Sequence, residues 1–186
     1  MAFPRLASIF VLAGLALWAA ADGAAAQATK AGGAAKPDPL SRFQSSLVAP
    51  PAPAEITLRQ SVYVPAYSSL VGSGGQARLN LAVTLSVRNT SATLPLVVEH
   101  IDYYDTAGNL VQHYVPATVA VRPFGTIEIL IPTDDIRGGT GANFIVDWGA
   151  TQPISEPVIE TVMVGSSGNR GFAFVSPGRP IHVLGK

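Results

Sequence analysis

The chain has 186 residues, and its twelve Lys+Arg balance twelve Asp+Glu. That excludes the one-signed field with which proteins gather nucleic acid or anionic membrane. It has no cysteine, which excludes disulfides, thiolate metal sites, a thiol nucleophile and a lipid anchored on an N-terminal cysteine.

Residues 1–28 read as an export signal. Arg5 leads into an apolar run from Leu6 to Ala21, followed by Asp22, Gly23 and small residues to Ala28. This is the charged, apolar, small-residue order of a secretory signal peptide. Cleavage fits after Ala26 or after Ala28, and the apolar run is short for a span of about 20 residues. A periplasmic or secreted location follows, with no membrane insertion after cleavage.

Residues 29–54 are rich in Ala, Gly, Pro and Lys and end in Ala49-Pro50-Pro51-Ala52-Pro53-Ala54. Proline fixes φ and removes a donor, so this stretch reads as an extended, disordered linker. A short amphipathic turn near Leu40–Val48 is its one exception.

From residue 55 to 186 the pattern is β-type. Expected strands are Thr57–Tyr67, Leu79–Val87, Leu96–Asp105, Leu110–Val115, Thr118–Arg122, Thr126–Ile131, Asn143–Trp148, Val158–Val164 and Gly171–Ser176. In the second, Leu79, Leu81, Val83, Leu85 and Val87 point one way, the strict alternation of a half-buried strand. Gly, Pro and Asn separate the runs, and no helical period persists. The expectation is an all-β, antiparallel, immunoglobulin-like β-sandwich. Asp105-Thr106-Ala107-Gly108-Asn109 supplies a hairpin turn. Its register places Tyr104 opposite Val111, Tyr103 opposite Gln112, Asp102 opposite His113 and Ile101 opposite Tyr114.

That register puts His100, Asp102 and His113 on one face, where two imidazoles and a carboxylate can hold a divalent ion. The alternative is a polar outer face on which Asp102 simply pairs with His113. Tyr103, Tyr104 and Trp148 are candidates for a binding platform, with core packing as the competing role. Arg88 is a candidate binding cation, and either it or Arg122 can pair with Glu160. Glu156 and Glu160 flank Pro157 as paired carboxylates, read as a structural ion link rather than a glycosidase pair. Gly138-Gly139-Thr140-Gly141 lacks the lysine and following helix of a phosphate loop and reads as a flexible connection. No G-x-S-x-G elbow occurs.

Several ordered motifs resemble one family. They are Tyr63-Val64-Pro65-Ala66-Tyr67-Ser68, Val87-Arg88-Asn89-Thr90, Tyr103-Tyr104-Asp105 with Gly108, Gly138–Phe144, Glu156–Glu160 with Val162–Gly165, and Gly171–Arg179. Together they are similar to the bacterial domain of unknown function numbered 3124. The resemblance implies a small exported or membrane-attached bacterial domain with no established activity, and it supplies no catalytic residues. The functional expectation is a non-enzymatic binding or structural module of the bacterial envelope. It needs no cofactor and contacts an envelope protein by strand addition at an exposed sheet edge. The rival is a metal-binding protein or hydrolase using His100, Asp102 and His113.

Overall fold

The computed structural model describes residues 38–72 and 74–184, with side chains through Ile181. The export signal read over 1–28 lies outside the described residues, as does the start of the 29–54 segment. The described strands are β1 (Leu47–Val48), β2 (Leu58–Pro65), β3 (Ser69–Val71), β4 (Arg78–Asn80), β5 (Ala82–Arg88), β6 (Leu96–Tyr104), β7 (Leu110–His113), β8 (Val119–Val121), β9 (Thr126–Ile131), β10 (Asn143–Ala150), β11 (Val158–Ser167), β12 (Arg170–Pro177) and β13 (Arg179–Leu184). The larger sheet runs β1-β8-β6-β10-β2-β13, with β7 added beside β6, and the smaller runs β12-β11-β5-β9. A two-stranded ribbon joins β3 to β4. Every described pairing is antiparallel.

Alternation explains the core. Val62 and Val64 of β2, Ile101 and Tyr103 of β6, and Phe144 and Val146 of β10 form one apolar cluster with side chains of the smaller sheet. Those are Val83, Leu85 and Val87 of β5, Ile127, Ile129 and Ile131 of β9, and Met163 of β11. Burying such a side chain contributes about 1.5–3 kcal/mol, so this period-two pattern fixes which face of each strand turns inward.

Two departures have local causes. The run expected as one strand over Leu79–Val87 is broken at Leu81, whose backbone N–H donates to Ser68 O (3.0 Å) instead of continuing a ladder. Leu81 still points inward and is fully buried. In β6, Asp147 pairs with His100 but Trp148 pairs with Val98, leaving Glu99 as the extra residue of a bulge. The bulge lets Val98 and Ile101 both reach the core, although three positions separate them.

The 29–54 segment is corrected from Asp38 onward. Leu40 is buried, and Phe43 and Leu47 pack against the core. Ser41–Ser46 forms a 3-10 turn, and Leu47–Val48 pairs with β8. β1 thereby covers the β8 edge of the larger sheet, while the 3-10 turn lies against β9 of the smaller one. The proline stretch is tied down as well, since the Arg59 guanidinium donates to Pro53 O (3.1 Å) and Ile56 O (3.0 Å). The folded domain therefore begins well before residue 55.

Phe124 carries the one non-glycine positive φ among the described residues, 58°, and is 72% exposed. It follows Pro123 in a tight turn closed by Gly125 N–H to Arg122 O (2.9 Å). Such a turn favours glycine at the third position. Phe124→Gly relieves strain of about 1–2 kcal/mol and concedes about 0.5–1 kcal/mol of unfolded-chain entropy. The urea midpoint should rise slightly at unchanged slope.

Candidate functional site

The outer face of the larger sheet carries the histidine cluster. The hairpin pairs Asp102 with His113 and Tyr103 with Gln112, as the expected register has them. Tyr104 pairs with Leu110, so Val111 is the added residue of a bulge. His113 Nδ1 lies 2.6 Å from Asp102 Oδ1. His100 turns instead to Asp147 of β10, with Nδ1 3.6 Å from Oδ2. Asp147 also accepts from the Ser61 hydroxyl at 2.5 Å. The expected trio thus divides into two His–Asp pairs, because β10 supplies a second carboxylate opposite His100. Among the described residues no three His, Asp or Glu side chains converge on a metal position. The single cluster expected of His100, Asp102 and His113 is therefore corrected to two cross-strand pairs on a solvated face.

The aromatic platform is corrected too. Tyr103 and Trp148 are buried, so neither offers a ring to solvent. Tyr104 alone of the three is partly exposed. Tyr103 stacks at 4.8 Å on Phe144, and Tyr114 lies 6.2 Å from the same ring. Arg88 pairs with Glu160 at 3.4 Å, the structural link that the sequence left open between Arg88 and Arg122.

The glycine-rich connection is pinned rather than loose. Thr106 N–H and its hydroxyl both donate to Gly138 O (2.9 Å each), and Gly139 N–H donates to the Ser68 hydroxyl (2.8 Å). A Cβ on Gly138 would fall on the Tyr103 hydroxyl, so the glycine permits that approach. Burial raises the Tyr103 phenol above its ordinary value, against the lowering effect of the Ser68 hydroxyl beside it. Tyr114 is pushed up to about 12, first by burial and then by the Asp135 carboxylate. Both phenols thus hold their protons more tightly folded than unfolded. For Tyr114 the contribution is intact below the unfolded value near 10 and is lost as pH rises through the folded value of about 12. The melting temperature should fall from about pH 10 upward, and Tyr114→Phe should flatten that decline.

The strongest site geometry lies elsewhere, where the chain crosses between the sheets. After Pro177 the chain leaves β12, and after Gly178 alone it joins β13. Gly178 N–H donates to Ile159 O (2.8 Å). A Cβ there would stand 2.6 Å from Val62 Cγ1 and 2.7 Å from Ile159 O, so only glycine fits so close a crossing. Beside it opens a cleft of about 210 Å³, walled by Gln60, Trp148, Glu156, Glu160 and the prolines 157, 177 and 180. Trp148 is only 2% exposed, and its indole N–H has no acceptor among the described residues. Glu160 is held by Arg88. Glu156 has no ion pair among the described residues. The sequence marks Glu156 and Glu160 as a carboxylate pair and Trp148 as a separate aromatic candidate. Their meeting had no sequence signal, because it depends on a crossing more than ten residues downstream of both glutamates.

A family model, described as "Protein of unknown function (DUF3124)", matches residues 59–181. The chain belongs to this family. The matched region runs from Arg59 in β2 to Ile181 in β13, so it includes the crossing and every wall of the cleft. The packed segment from Asp38 through β1 lies before it. The crystal structure of Thermotoga maritima 1070 is similar at a TM-score of 0.39 and 14% identity, covering 66% of this chain and 94% of that one. No curated protein matches the chain.

Proposed function

We propose that this family member is an exported, non-enzymatic binding module of the bacterial envelope, folded as an immunoglobulin-like β-sandwich. The charged, apolar and small-residue order of residues 1–28 supports export. Two antiparallel sheets that share one apolar cluster, with the chain crossing between them from β5 to β6, β9 to β10 and β12 to β13, support the sandwich. The observation that carries the binding reading is the crossing cleft. It sets the exposed Glu156 and the Arg88-held Glu160 in a wall stiffened by proline.

Fractionation of cells expressing the full chain tests export. The expected product is in the periplasmic or secreted fraction and begins at Gln27 or Thr29. A cytoplasmic product that retains residues 1–28 would overturn the reading.

A further inference from the structure

We propose that two copies of this chain pair edge to edge through β12, antiparallel about a two-fold axis. Two four-stranded sheets then become one continuous sheet. The pairing is independent of the crossing cleft and of any ligand there.

β12 ends the smaller sheet and pairs only with β11. Among the described residues, no backbone hydrogen bond outside that ladder involves residues 170–177. None of its eight residues is buried, whereas β2, β5, β6, β9, β10 and β11 all have buried residues. The other edges are guarded. β1, β3, β4 and β7 are four residues long or shorter. The Ser41–Ser46 turn lies against β9, and β13 carries Pro180 and a register shift. Short length, cover, proline, charge and bulges are the usual guards against edge pairing. β12 has none of them between Gly171 and Ser176, where it carries no charge and no proline and keeps one unshifted register with β11. Phe172 and Phe174 pack against the core yet stay partly exposed, and Val175 on the other face is 54% exposed. An edge of that kind recruits another strand.

Neutrality selects a second copy as that strand. A two-fold axis sets each residue of one edge opposite its own kind of edge, so a charged strand would meet like charges. Gly171–Ser176 brings no charge to the seam, and it offers none by which to choose a foreign sequence. An axis normal to the sheet also keeps both phenylalanine pairs on the core side, where each copy covers the rim of the other. Size sets the strength. The eight-residue edge is ~27 Å long at ~3.4 Å per residue. One sheet edge of that length falls below the ~800 Å² per partner of a standard interface. About one main-chain hydrogen bond per paired residue still reaches the ~5–15 of a typical interface. The dimer is therefore specific, weak and reversible, in the micromolar range.

Analytical ultracentrifugation of the full chain over a micromolar to millimolar series tests the pairing. A reversible monomer–dimer equilibrium is expected. Val175→Lys and Ala173→Lys, both at exposed positions, should fold as the wild type does. Each sets like charges along the shared seam and should weaken the dimer about tenfold or more. Val164→Lys, at a position 50% exposed but one strand in from the edge, should leave the dimer unchanged. Amide hydrogen exchange across residues 171–177 should slow as concentration rises, because the outward N–H groups gain partners. A wild type that stays monomeric at millimolar concentration would overturn self-pairing and leave the edge to a strand of another protein. A dimer untouched by both β12 lysines, or lost equally in Val164→Lys, would overturn it in favour of another surface.

Discussion

Asn89→Asp is expected to destabilise the domain by about 3–5 kcal/mol, although it exchanges one amide nitrogen for one oxygen. Asn89 is 3% exposed at the end of β5. Its Nδ2 stands 2.8 Å from Leu94 O, 3.0 Å from Val121 O and 3.1 Å from Arg122 O. Its Oδ1 accepts from Ser91 N–H at 2.9 Å. One amide thus ties the β5–β6 crossing to the end of β8. A carboxylate there would face three carbonyl oxygens with nothing to donate. Protonation restores one donor, so burial raises the variant carboxyl above its unfolded value. The penalty is then full at neutral pH and shrinks as pH falls through the raised value. Urea unfolding at pH 7 and pH 5 should show a midpoint far below wild type at the first and a narrower gap at the second. Equal midpoints for variant and wild type at pH 7 would refute the role given to this amide. Asn89-Thr90-Ser91 fits a glycosylation acceptor pattern, yet the buried Nδ2 is fully committed to backbone.

Phe144→Ala should cost about 3–5 kcal/mol, the range for deleting a buried aromatic ring. Phe144 is fully buried on β10, the strand between β6 and β2. It lies against both Tyr103 and Tyr114, so its loss opens a void and removes two aromatic contacts. Phe144→Leu refills part of that volume and should cost clearly less. The comparison is made by urea unfolding at constant slope, and equal losses for the two variants would show that ring packing is not what the position supplies.

Most strands were legible because the two-residue period is a local signal. Thr126–Ile131 appears with its expected bounds, and Ile127, Ile129 and Ile131 turn inward together. The hairpin turn was legible because its chemistry is local as well. Asp105 accepts from Ala107 N–H and Asn109 N–H at 2.8 Å each, and Gly108 takes φ 83°. The Asn109 side chain and backbone hold the Asp105 carboxyl below its ordinary value. The bulges at Glu99 and Val111 were not legible, since a bulge is a mismatch between two strands and neither strand alone records it. The short strands β1, β3 and β13 escaped for a related reason. Leu47–Val48 and Ser69–Val71 are too brief to show a period, and Arg179–Leu184 contains a proline and a register shift.

The candidate site divides along the same line. Residue chemistry in the chain marked His100, Asp102 and His113 as one cluster, and the Glu156/Glu160 pair and Trp148 as separate candidates. Pairing reversed the grouping. β10 brought Asp147 to His100 and divided the first set, while the Pro177-Gly178-Arg179 crossing gathered the second around one cleft.

By itself the sequence determined the β-type period, the inward face of each long strand, the hairpin turn and the charge balance, all of which depend on neighbours within a few positions. Only the tertiary structure decided which strands lie side by side, which carboxylate meets which cation, and that Trp148 finds no acceptor among the described residues. Those outcomes depend on the distance in space between residues far apart in the chain, and that distance is set by how the two sheets bury their apolar faces together.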